Sequence, residues 1–492
     1  MSKYITTKNH ISLSEIIAKE CSLSSSQYKG LNIKNSNFLY VRDFLSRNLN
    51  RKDLGTEVGS DSYIGQSSHY FLRTKALQKH SFLPEITPET AKPILPNSFL
   101  QMNLKKGDLI ISKDSNIGEI VILDKDYPNY MLSGALYKLP VKEHKYYLLA
   151  FIKHDIFREQ LDFIAPKGAT IRHAKTLFLD CKIPMPNDNT ENTILFIELL
   201  TQAVINKEIL IKQRHNTILQ KIERELSDNQ LDNEFSFEKP TFNEVKEVGR
   251  LDTGLYSKEF KQIDFLIKNY TNGYFFIGSN NIKSGSTPEI RYIGQQLNLK
   301  YRWVTPSNCS DYGVLLSERI NLKGHNNINK DCILLINRTS KGGVGEYVGI
   351  AGFYNYNDYG VGHHNQGMYR VLNYPKYNLI FMLSFLNCTL MRKYCSKLSV
   401  GSKMKELKTE QFLQIPFPNF PKDKQQEIAK LYHNPIDYPT EQFTLDNFLT
   451  LDNQYNQQAG IYELDKTAKY LKNLINKAIE NIINNKVVDI QF

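Results

Sequence analysis

The sequence predicts a mixed α/β (α+β) chain in which one module is written twice and each copy is followed by a long helix. Three observations carry that prediction: segments that recur in the same order, apolar runs of strand length, and two prolyl stops ahead of helically spaced apolar residues. At 492 residues the chain exceeds what one hydrophobic core usually organises, which leaves room for several domains.

The recurrence is read in order along the chain. LSSSQY, Leu23 to Tyr28, answers LDTGLY, Leu251 to Tyr256. YFLRTKAL from Tyr70 answers FFIGSNNI from Phe275, and DLIISKDSNIGEIVIL from Asp108 answers DCILLINRTSKGGVGEYVGI from Asp331. SGALYKLP around Gly134 answers NQGMYRVL around Gly367, and PKGATIRHAKTLFLDCKIPMPN answers LSVGSKMKELKTEQFLQIPFPN. Insertions separate the copies while the order survives, and composition alone does not produce five ordered pairs.

Within each copy, Leu109 to Ile111, Ile120 to Leu123 and Ile333 to Ile336 are continuous apolar runs bounded by turn residues, as core strands require. Tyr146 to Phe163 and Asn378 to Lys397 have helical spacing. The stops Ile183-Pro184-Met185-Pro186 and Ile415-Pro416-Phe417-Pro418 force an extended exit, because two prolines forbid a regular helix.

A long helix is expected after each stop. From about 190 to 226 there is no Pro or Gly, and Ile197, Leu200, Val204, Ile211, Ile218 and Ile222 mark one seam, which Lys207, Arg214 and Lys221 interrupt. Ile461, Leu464, Ala468, Leu471, Ile475, Ala478 and Ile482 mark another at coiled-coil spacing. Lengths of roughly 50 Å and 40 Å follow from the rise per residue. The economical arrangement is an antiparallel pairing of the two seams, which closes the chain into a pseudo-two-fold body. Lys424 to Tyr432 reads as a short amphipathic helix and His433 to Gln458 as an irregular connection. The expected division is one module at 1–187, a spacer helix at 188–230, a second module at 231–420, and a short helix, connection and second spacer helix at 421–492.

Hydrophobic residues make up 41% and charged residues 23%, ordinary values for a globular chain. No apolar run approaches the roughly 20 residues of a membrane span, and MSKYITTKNHISLSEII lacks the apolar core of a secretory signal, so a cytoplasmic protein is expected. Lys and Arg total 62 against 51 acids, a net charge of +11 that leans toward polyanionic partners. The alternative is AT-rich coding, which raises Lys, Asn, Ile and Tyr together and would account for the whole excess. Cys21, Cys181, Cys309, Cys332, Cys388 and Cys395 form no CxxC pair and are expected to be reduced core thiols.

Catalytic constellations are missing. Gly342-Gly343-Val344-Gly345 is followed by Glu346 where a phosphate loop needs Lys, so it reads as a tight turn between strands. No GxGxxG follows a strand, and Asn434-Pro435 lacks the second Pro and the aromatic of an amino-methyltransferase loop. His363-His364-Asn365 has no downstream partner for a metal or an HNH nuclease and is expected in an exposed or hydrogen-bonded loop. Asp108 with Glu119 lacks the following Lys of a magnesium nuclease. No catalytic residue and no metal ligand is therefore assigned. A duplicated basic module on two stiff helices suits contact with two half-sites on a duplex whose grooves repeat every ~34 Å.

At these residues the chain resembles the specificity subunit of type I restriction-modification systems. The strand, polar turn, Gly, strand pattern occurs twice, in GDLIISKDSNIGEIVIL and DCILLINRTSKGGVGEYVGI. GSTP at Gly285 to Pro288, IPMP and IPFP before helices, and PKDKQQEIAKLYHNP, similar to PxxEQxxIA, complete the resemblance. DNTENTILFIELL after the first stop departs from that pattern, and His433 to Gln458 has no counterpart in the first copy.

The resemblance implies two target recognition domains, each reading part of a bipartite sequence in double-stranded DNA. It also implies two long antiparallel coiled-coil helices that dock methyltransferase subunits, joined by a restriction endonuclease/translocase subunit. The chain itself then holds no cofactor: adenosylmethionine, ATP and magnesium belong to partners. Alternatives are a specificity subunit of a related restriction or phage-defence system, or a divergent DNA nuclease or methyltransferase.

Base edges are read by Arg, Lys, Asn and Gln, and turns between strands can enter a groove. The candidates are Lys113, Asn116, Arg338 and Lys341 in the paired polar turns, with Arg172, His173, Lys403 and Lys405 in the paired Gly-containing segments. Ile197, Val204, Ile211 and Ile218 on one helix and Leu464, Leu471, Ile475 and Ile482 on the other are the expected pairing residues.

Overall fold

A computed structural model describes residues 3–7, 10–18, 21, 23, 28–164, 175–287, 302–315, 327–339, 347–375, 377–401 and 404–492. The chain divides into two units, one of 1–209, 437–457 and 466–492, the other of 210–436 and 458–465.

The first unit begins with an antiparallel pair, β1 (Ile5–Thr7) and β2 (Lys29–Leu31), with helix α1 (Leu13–Ala18) between them in sequence. Next come β3 (Phe38–Tyr40), β4 (Tyr70–Leu72), β5 (Ala91–Pro93), β6 (Leu109–Ser112), β7 (Ile120–Ile122), β8 (Tyr130–Leu132) and β9 (Leu136–Leu139). Helices α2 (Lys145–Lys153) and α3 (Asp155–Ile164) follow, then β10 (Lys182–Pro184) and α4 (Thr190–Asp228). The sheets are β7-β6-β9, β5-β4-β8 and β10-β3. β6 is central and wholly buried: Leu109 and Ile111 pack into one apolar cluster and Ile110 into another, while the Ser112 hydroxyl donates to the Asp114 carbonyl at 2.7 Å.

The second unit contains α5 (Phe242–Val248), α6 (Lys258–Lys268), β11 (Tyr274–Phe275), β12 (Ile282–Ser284), β13 (Arg302–Val304), β14 (Asn327–Ile328), β15 (Cys332–Ile336) and β16 (Arg338–Thr339). After these come β17 (Ala351–Tyr354), α7 (Tyr356–Tyr359), β18 (Gly362–His364), β19 (Met368–Val371), α8 (Leu379–Leu386), α9 (Thr389–Leu398), β20 (Lys405–Glu406), α10 (Thr409–Phe412), β21 (Phe417–Pro418) and α11 (Lys422–Tyr432). Its sheets are β12-β19-β15-β17, β13-β18-β14, β16-β20 and β11-β21.

The strand pairings establish the repeat independently of residue type. β7-β6-β9 has the order of β17-β15-β19, and the parallel pair β4·β8 has its equivalent in β13·β18. β3 with β10 likewise matches β11 with β21. This corrects one sequence pairing. Tyr70 lies on β4 and therefore answers Arg302–Val304, each strand leading into a single 3-10 turn, whereas Phe275 answers the strand Phe38–Tyr40. Short aromatic strands look alike in sequence, and only their partners distinguish them.

Two expected helices are each broken in two. His154 adopts an extended ψ of 148° and its Nδ1 faces the Ile156 amide at 3.3 Å, restarting the chain as α3. Between α8 and α9 Cys388 adopts an extended ψ of 154°, and the Asn387 side chain just before it bonds both the amide and the carbonyl of Ala351, at 3.0 and 2.7 Å.

The first long helix is continuous over 39 residues, belonging to the first unit as far as Ile209 and to the second from Leu210. In the first unit it runs antiparallel to α13 (Ile461–Ile483): Asn187 just ahead of α4 bonds Asn485 just past α13, and Glu208 bonds Lys472. Ile197, Val204, Leu471, Ile475 and Ile482 share one core cluster there. Ile211, Ile218 and Leu464 are buried in the second unit. There α4 lies antiparallel to α11 through Lys221–Glu427 at 2.5 Å and Glu225–Lys424 at 3.9 Å.

α13 has 23 residues, about 35 Å, shorter than the seam predicted. It begins where α11 stops, since Glu463 accepts from the Asn434 and Gly460 amides at 3.0 Å each and pairs with His433. α11 and α13 thus meet at a junction from which 434–459 leaves and returns. That excursion is not irregular, as expected from its sequence: it holds α12 (Phe448–Gln458), whose N-terminus Thr444 and Asn447 cap reciprocally at 2.8 and 3.3 Å. Of its buried residues Phe448, Asp452, Tyr455 and Asn456, two are polar, which hid the helix from a search for apolar spacing.

Five of the cysteines are buried or half-buried free thiols; Cys21 is exposed, contrary to the expected core position.

Candidate nucleic-acid interface

In each unit a glycine begins the local geometry. Gly285 passes so close to the following module segment that an added Cβ would stand 2.0 Å from the Asn365 carbonyl oxygen; at Gly55 it would stand 2.1 Å from that of Ser133. The amides of Gly285 and Ser286 donate to Met368 and His364 at 3.2 Å each, and those of Gly55 and Thr56 donate to Leu136 and Leu132 at 3.0 Å each. A third turn joins in both copies: the amide of Arg338 donates to Gly367 at 3.3 Å and that of Lys113 to Ala135 at 2.9 Å. Three turns therefore converge beside the central strand of each unit, with the same hydrogen bonds.

These turns carry polar side chains. In the second unit Asn365 bonds Thr287 Oγ1 at 3.2 Å and closes its own turn onto Gly367 at 2.8 Å, while Gln366 is exposed. In the first, Arg51 donates to the carbonyls of Leu54 and Gly55 and to Thr56 Oγ1 at 2.9–3.1 Å. Asn116 is exposed at the β6–β7 turn, and Lys113 is half-buried and paired with Asp114 at 2.6 Å.

Arg338 lies on β16 opposite Glu406 on β20, so the structure joins the polar turn after β15 to the Gly-containing segment around Gly401. Lys405 on that segment is exposed, and its ammonium donates to the carbonyl and hydroxyl of Ser396 at 3.2 and 3.0 Å. Arg172, His173, Lys341 and Lys403 lie outside the described residues, as does the Gly342–Gly345 turn. Sequence reasoning missed Arg51, Thr56, Asn365 and Glu406. The GSTP glycine was a signal for the first three, but its partner turn is some eighty residues away.

His363 and His364 are fully buried on β18, not in a loop as expected. The strand sits between β13 and β14 and so leaves both rings inside. Burial lowers the His364 pKa to about 4, and its Nε2 lies 3.3 Å from the Lys283 carbonyl, which makes Nε2 the protonated nitrogen of a neutral ring. Asp108 and Glu119 do not act as a carboxylate pair. Asp108 bonds Lys138 at 2.8 Å, while Glu119 is paired with Arg158 and lies 3.6 Å from Lys153. Among the described residues no group of three or more His, Cys, Asp and Glu could hold a metal ion, and no helix is long and apolar enough to cross a membrane.

Comparison with known proteins gives one family. Residues 261–437 match the model described as type I restriction modification DNA specificity domain. No curated protein sequence matches. Among solved structures, a type I restriction-modification system S subunit from M. genitalium is similar at 12% identity and a TM-score of 0.41, over 92% of this chain and 96% of that one. The HsdS subunit from Thermoanaerobacter tengcongensis is similar at 11% identity and a TM-score of 0.26, over 92% and 97%. The family match covers β11 to α11, and hence all three converging turns of the second unit. Residues 261–437 are thus similar to the type I restriction modification DNA specificity domain.

Proposed function

We propose that the chain is the sequence-reading subunit of a type I restriction-modification complex and itself catalyses no reaction. Each of the two modules, at 1–187 and 231–420, is a target recognition domain that reads one part of a bipartite site in double-stranded DNA. The observation that carries this reading is the convergence of the same three turns in both units, the second unit's set lying inside the matched specificity domain.

The physical case follows from what groove readers need. A base-reading side chain must sit on a turn whose backbone is already fixed, since ordering it on contact would consume binding free energy. Glycines that admit no Cβ and paired backbone hydrogen bonds fix these turns. Asn116, Arg338 and Lys405, with Lys113, Arg172, His173, Lys341 and Lys403, are the residues assigned to DNA, bases being read in the major groove and phosphates held by the cations.

The helices at 188–230 and 461–483 dock methyltransferase subunits, and an endonuclease/translocase subunit joins them in the cytoplasm. Adenosylmethionine, ATP and magnesium act on those partners. A related phage-defence system would use the same reading surface, and the genes beside this one distinguish the two.

Sequencing the methylome of cells carrying the complete system tests the reading. The expected result is methylation at one bipartite asymmetric motif, which disappears when this chain is deleted. Methylation that persists without the chain, or methyl transfer or cleavage by the purified chain alone, overturns it.

A further inference from the structure

Arg338 and Glu406 are cross-strand partners on β16 and β20, with the guanidinium Nη2 2.6 Å from Glu406 Oε1. Neither side chain is buried away: the two are 39% and 32% exposed. Glu406 is nonetheless fixed in place. Its backbone exchanges two hydrogen bonds of 2.8 Å with Val400, and at neighbouring Gly401, with φ +97°, an added Cβ would stand 2.1 Å from the Met404 oxygen. The next residue, Leu407, donates to Asn337 at 2.7 Å, so both strands are tied on either side of the pair. Arg338 Nε is enclosed and has no acceptor among the described residues, leaving the guanidinium held from one edge.

From this geometry we infer that the two residues act as one unit, in which Glu406 is a positioning residue that presents the Arg338 guanidinium to a base edge. The inference rests on the proposed reading of the chain as a DNA specificity subunit and assigns this pair to discrimination, not to general affinity. Charge decides between the two. A phosphate contact works by releasing counterions from the duplex, and it needs an unopposed cation. Arg338 has a carboxylate at hydrogen-bond distance, so the pair is close to neutral and a phosphate approaching it meets Glu406 as well as Arg338. A guanine edge carries no net charge and needs directional donors, which a planar fork held from one side supplies with little side-chain entropy left to lose. Lys405, next in the chain, makes the contrast: its ammonium rests on neutral oxygens of Ser396 and keeps its charge for the backbone.

The test uses the chain assembled with its methyltransferase subunits, on a duplex carrying its own methylated motif and on a scrambled duplex, across a salt series. The double variant R338A/E406Q, which removes the fork without leaving the carboxylate unopposed, is expected to weaken the cognate duplex by about tenfold to a hundredfold while the scrambled duplex changes by less than about twofold and the salt slope stays constant. R338K, which keeps the charge and loses the fork, is expected to lose discrimination similarly. E406Q is expected to lower discrimination while tightening the scrambled duplex and steepening the salt slope by about one, because it frees a cation. K405A is expected to weaken both duplexes alike. If R338A/E406Q and R338K leave cognate binding intact, or if R338A/E406Q weakens both duplexes equally with a slope shallower by about one, the inference is overturned. A wild-type complex that does not distinguish the two duplexes would instead sink the reading of the chain as a specificity subunit.

Discussion

Lys207 and Asp452 form an ion pair of 2.6 Å in which neither side chain reaches solvent. Lys207 interrupts the apolar seam of α4, and the excursion 434–459 supplies what it needs. Asn456 accepts from the ammonium at 2.6 Å, the rings of Tyr438 and Tyr455 lie 4.8 and 5.0 Å away, and Asp452 also accepts from Tyr438 and Asn456. Burial nevertheless lowers the Lys207 pKa to about 8. Because an unpartnered buried charge is far costlier than none, K207M alone is expected to destabilise the first unit by about 3–5 kcal/mol, and the double variant K207M/D452L by much less. Urea unfolding of the two variants checks this; equal losses would mean that the pair is not coupled.

The close approach of Gly285 to Asn365 is matched by that of Gly55 to Ser133, whereas a Cβ at Gly65 would meet nothing within 4 Å. G285A and G55A are each expected to destabilise their unit by about 2 kcal/mol or more, with G65A near neutral, because the first two must push a backbone carbonyl aside. Thermal unfolding of the three variants is the measurement.

Glu463 holds the junction of α11 and α13 by accepting from the amides of Asn434 and Gly460 and pairing with His433. Removing the carboxylate strands two amide donors, one of them buried. E463A is expected to cost about 1–3 kcal/mol and to speed hydrogen exchange at those two amides before the rest of α13.

His364 is buried neutral with a pKa lowered to about 4, and His215, beside the Tyr312 ring in the same unit, is likewise pushed by burial to about 4. The unfolded chain binds these protons near pH 6.5 and the folded unit only near 4. Stability of the second unit is therefore full above about pH 6.5 and falls as pH drops toward 4, by up to about 3 kcal/mol for each ring. H364Q is expected to flatten that fall, read from urea midpoints at pH 7.5 and 5; a wild-type unit that gains stability over this interval would contradict the assignment.

Sequence and structure divide the explanation along a physical line. The apolar runs from Leu109 to Ile111 and from Ile333 to Ile336 announce central strands because a strand buried on both faces is apolar at nearly every position. The seams of α4 and α13, the prolyl exits and the order of the repeated segments are equally local, and each is written in residue type and spacing. Partnership is not local. That Tyr70 stands for Arg302 and not Phe275 is decided by which strand lies alongside, and that His363 and His364 are enclosed is decided by neighbours on either side of β18.

The sequence by itself determined that one α/β module occurs twice, each copy followed by a long helix, since periodicity and burial are encoded residue by residue. Only the tertiary structure decided that three distant turns meet beside each central strand, that Glu406 stands against Arg338, and that a polar excursion neutralises Lys207. Those depend on carbonyls, amides and charges brought together across gaps in the chain, where no spacing rule reaches.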